Sequence, residues 1–426
     1  MDRHSGNYRW RIVALLFFAT TINYLDRQVI GILKPQIADS LGWTEASYGY
    51  IVSAFQVAYA LGLLMTGRLL DKFGTKVGYS AAIVVWSVAG IGHALARSAF
   101  GFGFARFFLG IGESANFPAA IKTVAEWFPK KERALATGLF NSGSNIGAIA
   151  APLLVTGITL KYGWPWAFII TGSLGFIWLI FWALGYQLPK NQKKLSPSEF
   201  AYIHSDREEA SGGPVPWKRL LFTRQAVAIC YGRLVTDWVW WFFLFWTPSY
   251  LHKVHGIDIK GMALPLIVIY TVASVGAVAG GGISSYLLKV GKSVDFARKT
   301  AILICALCVL PMVFVSRISN FWIVVAFISL AAAAHQGWAA NIFTIVSDIY
   351  PKSLVASMTG LSGFAGAAGG AVAATVVGWI LQTTGSYFLI FLFAGSVYLT
   401  AWAVLKILIP RIGPIDSHSP AEPAAA

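Results

Sequence analysis

Long apolar runs alternate with short polar connections along this chain. A bilayer core of ~30 Å takes ~20 apolar residues in a helix. On that ruler the chain divides into twelve spans, at 12–32, 46–69, 76–96, 100–122, 134–160, 166–187, 225–251, 262–288, 299–316, 320–346, 353–381 and 386–409. One polar stretch is longer than the others. Residues 188–224 are charged and carry Pro and Gly, which suits a linker between two halves of six spans each, with a short amphipathic helix around Pro197 to Ala210. The expected organisation is an N-terminal six-helix bundle at 1–187, a cytoplasmic linker at 188–224, a C-terminal six-helix bundle at 225–410 and a disordered cytoplasmic tail at 411–426.

Composition supports this pattern. The 426 residues are 57% hydrophobic and 12% charged, with a mean hydropathy of +0.65. A soluble domain carries about twice that charge fraction, so the chain is expected to be an all-α, multi-pass membrane protein with the lipid bilayer as its surroundings. A net charge of +15 would suit nucleic acid, but the cations sit in short loops and not on one face, so no nucleic-acid partner is expected. With the N-terminus inside, roughly 24 Lys and Arg fall on the cytoplasmic side and roughly 6 outside. Both termini are then cytoplasmic, and the bacterial inner membrane is the expected location. The basic start (Arg3, Arg9, Arg11) has no small-residue cleavage site after it, so the first helix is expected to be retained. Three cysteines make no disulfide scaffold. Cys305 and Cys308 lie in an apolar helix without further ligand-spaced Cys or His, so packing is expected and no metal site.

The two halves echo each other. Glu126-Trp127-Phe128-Pro129-Lys130 precedes Gly138, Gly143 and Gly147, and Asp348-Ile349-Tyr350-Pro351-Lys352 precedes Gly360, Gly363, Gly366 and Gly369. Such duplication is the usual plan of secondary transporters. Glycines at three- and four-residue intervals, with Gly62, Gly67 and Gly280 to Gly282, let helices approach closely.

Between spans two and three stands Gly67-Arg68-Leu69-Leu70-Asp71-Lys72-Phe73-Gly74-Thr75-Lys76. Gly67 permits close helix approach, Gly74 a tight turn, and Asp71 can pair with cations or cap a helix end. The stretch matches the loop motif GxLxDxxGxK, and the chain resembles the major facilitator superfamily. That resemblance implies two pseudo-symmetric bundles and a gating role for Gly67, Asp71, Gly74 and Lys76. The loop of the second half, from Gly281 to Lys289, lacks the Asp. Asn23-Tyr24-x-Asp26-Arg27, Arg106-Phe107-x-x-Gly110-x-Gly112-Glu113 and Trp246-Thr247-Pro248-Ser249-Tyr250-Leu251 resemble the anion:cation symporter family. The sequence around Asp26 is most similar to bacterial hexuronate transporters.

The charged residues inside the spans are the candidate chemistry. A central Arg or Asp costs about 2.5–3.5 kcal/mol on the insertion scale, so each needs partners, water or a ligand. Arg27 lies ~23 Å up its helix from the inside surface and Arg106 ~9 Å down from the outside, at similar depth. Glu113 is seven residues beyond Arg106, on the same face and ~10 Å deeper. Two guanidiniums and two carboxylates, Asp26 and Glu113, would then line one cavity. A planar guanidinium suits bidentate carboxylate recognition, which makes Arg27 the main substrate anchor. Burial and nearby arginines pull a carboxylate's proton affinity in opposite directions, so Glu113 could bind a proton. The resemblance implies the same for Glu113 with help from Asp26, and places Tyr24 and Tyr59 near substrate. The plainer alternative is that the four charges only brace two helices.

Ser144, Asn145, Gln336, Trp338 and Asn341 are further candidates for a sugar's hydroxyls and apolar face. His335 is either among them or a packing histidine. Arg233 and Asp237, four residues apart, suggest a gate or bracing pair. The run Trp238 to Phe243 is expected on the lipid or interface surface.

No HExxH, P-loop or nucleophile-elbow context occurs, so no catalytic residue is assigned and an intramembrane enzyme is disfavoured. A drug exporter is disfavoured by the two cavity arginines. An exporter of organic anions and an anion channel remain alternatives. The function expected is import of a sugar acid, a hexuronate such as glucuronate or galacturonate, or a related organic anion. The carrier would be a proton-coupled, monomeric, alternating-access symporter with no cofactor beyond the coupling proton.

Overall fold

The computed structural model describes residues 6–205, 223–350 and 352–413. The rest of the linker at 206–222, the tail from 414 and Pro351 of the second echo lie outside the described residues.

Helix α1, Tyr8–Leu41, ends at Gly42, whose φ of 67° lets its N–H return to the carbonyl of Ala38. Helix α2, Glu45–Gly92, supplies spans two and three as two limbs separated at Gly74, where φ 78° and ψ 157° break the helix. Only glycine takes that conformation without strain. Helices α3, Ala99–Glu113, and α4, Asn116–Trp127, form span four. Helices α5, Lys130–Tyr162, and α6, Trp164–Gly185, complete the first half. The linker helix α7 is short, Pro197–Ile203, with Ser196 as its N-cap.

Span seven comprises α8, Arg224–Phe245, and α9, Thr247–His255, with Pro248 just past the break. Then come α10, Ile259–Lys289, and α11, Val294–Val309, which runs into a 3-10 turn at Leu310–Arg317. Helices α12, Phe321–Ile349, α13, Lys352–Thr384, and α14, Phe388–Leu408, close the chain. All twelve sequence-derived spans are present. Length and apolarity pick out eight helical stretches among the described residues, one of them both limbs of α2. Spans one, four and seven fall short because they are charged or broken, and they hold Arg27, Glu113 and Asp237.

The chain folds as two compact units. One takes the described residues to Trp43 and those from Ala54 through α7; the other takes Thr44–Ser53 and the remainder. In the first, α1 and α5 meet backbone to backbone, since Gly143 faces the Phe17 carbonyl and Gly147 that of Thr21. In the second, α10 and α12 do the same through Gly276 against Ala333 and Gly280 against Gly337. Gly67 departs from expectation. It is exposed, and a Cβ there would meet nothing within 4 Å.

The aromatic run of α8 also differs from expectation. Trp238, Val239, Trp240, Phe242 and Phe243 are at most 9% exposed. Trp240 lies flat on His335 at 5.6 Å, and Phe242 packs on Trp246 and Phe391. Helix α8 is central to its unit, so its rings face helices rather than lipid.

Gly280 and Gly281 are neighbours with opposite surroundings. Gly280→Ala drives a methyl into Gly337 and is expected to cost about 1–3 kcal/mol through overpacking. Gly281→Ala meets nothing within 4 Å and should be neutral or gain up to ~1 kcal/mol from helix propensity. Denaturation midpoints of the two variants in detergent would check the contrast.

Candidate functional site

Arg27 is the centre of the first unit's polar network. Its Nε donates to Glu113 Oε2 at 2.8 Å, and Nη2 lies 2.8 Å from the same oxygen. Nη2 also donates to Asn23 Oδ1 at 3.1 Å, one helical turn back on α1. Three rings surround the guanidinium: Tyr24 at 4.8 Å, Tyr59 at 4.9 Å and Phe55 at 5.3 Å from the carbon to the centroid. Arg27 and Glu113 are 1% and 0% exposed.

Helix α3 grips residue 27 twice. Arg106 Nη2 donates to the carbonyl of Arg27 at 3.2 Å, while Glu113, two turns further on, takes the side chain. Arg106 also lies over Phe55, at 5.5 Å. Glu113 is the last residue of α3, so the interruption before α4 sits immediately beside the ion pair. Glu113 Oε1 has no hydrogen-bond partner among the described residues. Asp26 lies beside Thr171 of α6 and within electrostatic reach of Glu113 and Arg106, and neither of its carboxylate oxygens has a hydrogen-bond partner among the described residues. The structure thus brings Arg27, Arg106 and Glu113 together with Asp26 near Glu113 and Arg106, and all four are at most 3% exposed. A row of hydrogen bonds continues from α1. Asn116 Nδ2 donates to Thr20 Oγ1 at 3.3 Å, and Tyr79 OH donates to Asn116 Oδ1 at 2.5 Å.

The loop at Gly74 is held by its charges. Lys122 pairs with Asp71 at 2.6 Å and donates to the Leu70 carbonyl; Lys76 donates to the carbonyl of Ala183 at 3.0 Å. The echoed acids are both held, by different partners. Glu126 accepts from Thr75 at 2.7 Å and from the hydroxyl of Tyr186. Asp348 pairs with Arg298 at 2.8 Å, and Arg298 also donates to Ser284. At the start of the chain, buried Glu199 of α7 accepts from the backbone N–H groups of Tyr8 and Arg9 and from the Arg9 side chain. Arg9 in turn pairs with Glu132 at 2.9 Å. The linker helix is therefore fastened to the first turn of α1.

In the second unit Arg233 pairs with Asp237 at 2.8 Å and lies over Phe343 at 4.8 Å. Gly366 leaves the space that the Asp237 carboxylate occupies. The Tyr398 hydroxyl donates to the Thr236 carbonyl, so His335 Nδ1, 2.7 Å away, is the donor to that hydroxyl. Other candidates are tied into packing. Asn341 donates to the carbonyls of Gly280 and Gly337, both at 2.9 Å, and so fastens the α10–α12 seam. Trp338 is fully buried against Tyr398. Ser144 donates to the carbonyl of Asn141, and Asn145 and Gln336 are half-buried. Sequence reasoning missed Asn23 and Phe55. The signal was there, since each precedes a recognised residue, Arg27 or Tyr59, by one helical turn.

A profile of the Major Facilitator Superfamily matches residues 16–316. The chain is 31% identical over 382 residues to the hexuronate transporter of Escherichia coli (strain K12), covering 88% of each. It is 32% identical over 417 residues to the D-galactonate transporter of Escherichia coli O6:H1, covering 95% of each. It is 32% identical over 425 residues to a probable galactarate/D-glucarate transporter of Bacillus subtilis (strain 168), covering 96% of this chain and 92% of that one. Among solved structures, a bacterial homolog of the human lysosomal transporter Spinster matches with a TM-score of 0.72 at 17% identity, over 95% of this chain and 96% of that one. That likeness shows the fold alone.

Phe55 is shared by both arginines. Phe55→Leu should cost about 1–3 kcal/mol, the worth of two desolvated cation–π contacts. Tyr59→Phe keeps its ring over Arg27 and should change stability by less than ~1 kcal/mol. Chemical denaturation in detergent measures both.

Proposed function

The chain belongs to the major facilitator superfamily, and from that premise we propose that it is a proton-coupled importer of a sugar acid. The observation that carries this reading is the Glu113 carboxylate lying in the fork of Arg27. A substrate carboxylate is chemically the same group. Anion and Glu113 would compete for one guanidinium, and a proton on Glu113 would release it. With Arg27, Arg106, Asp26 and Glu113 all ionised, the cluster is neutral. One proton leaves a net charge of +1, matched to a monovalent anion such as a hexuronate. Asp26 would take part in the same exchange. The rings of Tyr24 and Tyr59 offer faces for the apolar side of a sugar and hydroxyls for its polar side.

The relatives named above transport hexuronate, galactonate or, in the probable case, galactarate and glucarate. All are sugar acids, which supports the substrate class. The distribution of Lys and Arg supports an inner-membrane carrier with both termini cytoplasmic. We take it to be a monomer that works by alternating access. Members of the superfamily are transporters, and the chain is not an enzyme.

Proteoliposomes with an imposed inward proton gradient test the reading. Glucuronate or galacturonate should accumulate above its external concentration, and more as external pH falls. Flux without accumulation would indicate a channel, and no flux of any sugar acid would remove the substrate class. Arg27→Lys keeps the charge but loses the planar fork, and should cut uptake by about tenfold or more. Glu113→Gln should retain substrate counterflow and lose proton-driven accumulation. Undiminished accumulation in that variant would overturn the coupling role.

A further inference from the structure

The first unit carries a groove that none of its own side chains fills. It runs between the second limb of α2 and α3, with a volume of about 610 Å³. Its floor is made of small residues, Ala89 and Gly92 on α2, Ala96 in the connection that follows, and Gly101 and Ala105 on α3. Its walls are large and exposed, Val84 and Val88 on one side and Phe104 and Phe108 on the other. Small residues at such spacings let helices close together, and beyond the groove they do so, where a Cβ on Gly112 of α3 would meet Trp86 at 2.7 Å and Ala82 at 2.9 Å on α2. A Cβ on Gly101 would meet Ala96 at 3.4 Å, whereas a Cβ on Gly92 would meet nothing within 4 Å.

Three observations say what covers the floor. The α2 wall belongs to a stretch long and apolar enough to cross a membrane, and Phe104 and Phe108 on α3 are as exposed as Val84 and Val88, so the open side of the groove faces hydrocarbon. From Val84 the α-helix runs to Gly92 and a 3-10 turn carries the chain on to Ala96, ~18 Å in all at ~1.5 Å per α-helical and ~2 Å per 3-10 residue. One leaflet of a ~30 Å core is ~15 Å deep, so the groove is as long as a leaflet is thick. At its Ala96 end stands exposed Arg97, whose Nη1 donates to the carbonyls of Ala94 and Ala96 at 2.7 and 2.9 Å. Its guanidinium also lies over Trp164, at 5.9 Å. A fixed cation above an apolar slot of leaflet depth complements an anion with a hydrocarbon tail.

We propose that this groove binds one anionic phospholipid, with its phosphate on Arg97 and an acyl chain along the floor of Ala89, Gly92 and Ala105. The floor backs directly onto the charged network, since Ala105 precedes Arg106 on α3. A bound chain would hold α3, and with it Arg106 and Glu113, at a fixed spacing from α2. The inference does not depend on the transported substrate or on proton coupling.

The full chain is reconstituted in vesicles of mixed phosphatidylethanolamine and phosphatidylglycerol. It is then extracted, and the lipid it retains is counted by native mass spectrometry. Wild type should retain one phosphatidylglycerol. Gly92→Leu and Val88→Trp, which fill or block the slot, should each lose it. Arg97→Gln lies at the surface and should still retain a lipid, with its preference for phosphatidylglycerol over phosphatidylethanolamine lowered about fivefold, the factor one basic residue near an anionic surface is worth. Wild type without retained lipid, or with both lipids held equally, would overturn the assignment. So would full retention of phosphatidylglycerol in the slot-filling variants.

Discussion

A guanidinium that is 1% exposed, inside a membrane span, must be compensated by its surroundings. Most of the first unit's interior follows from that requirement. The charge is met by one carboxylate, the fork by Asn23 and Glu113, and the faces by three rings. The partners come from three helices, so the network fixes α1, α2 and α3 against one another. A buried pair of this kind is a weak source of net stability, yet losing one partner is costly. That asymmetry suits the proposed exchange of carboxylates, because leaving Arg27 unpaired is costly.

The same reasoning separates the two halves, which share a sequence echo without sharing its chemistry. Glu126 is held by hydroxyls from Thr75 and Tyr186, and Asp348 by the cation Arg298. In the second unit the Arg233–Asp237 pair is contained within one helix, while Arg298–Asp348 joins α11 to α12. In the first unit the pair joins α1 to α3. Ion pairs within a helix hold its own turns, whereas pairs between helices hold the packing, so Arg233–Asp237 and Arg27–Glu113 serve different mechanical uses.

The spans were legible in the sequence because hydropathy reports on length and apolarity, the two things a bilayer demands. The turn at Gly74 and the charge-bearing positions Arg27, Arg106 and Glu113 were legible for the converse reason, since each breaks the pattern around it. Which side chains meet was not legible. Arg106 and Glu113 are two turns apart on one helix, and nothing in their spacing says that both close on residue 27, one through its carbonyl and one through its side chain. Asn341 looked like a free polar group and proved to be a clasp between two backbones. The aromatic run of α8 looked lipid-facing because hydrophobicity alone does not distinguish a ring packed on helices from a ring packed on acyl chains.

Helices α1 and α5 touch through Gly143 and Gly147 with no side chain between them. A seam of bare main chain has only one register, because sliding it by a residue would bring a methyl or larger group against a carbonyl. The height of Arg27 in the membrane is therefore set by α5 as firmly as by α1. Divergence among paralogues of this architecture would then act on the lining around an immobile cation and leave its position untouched.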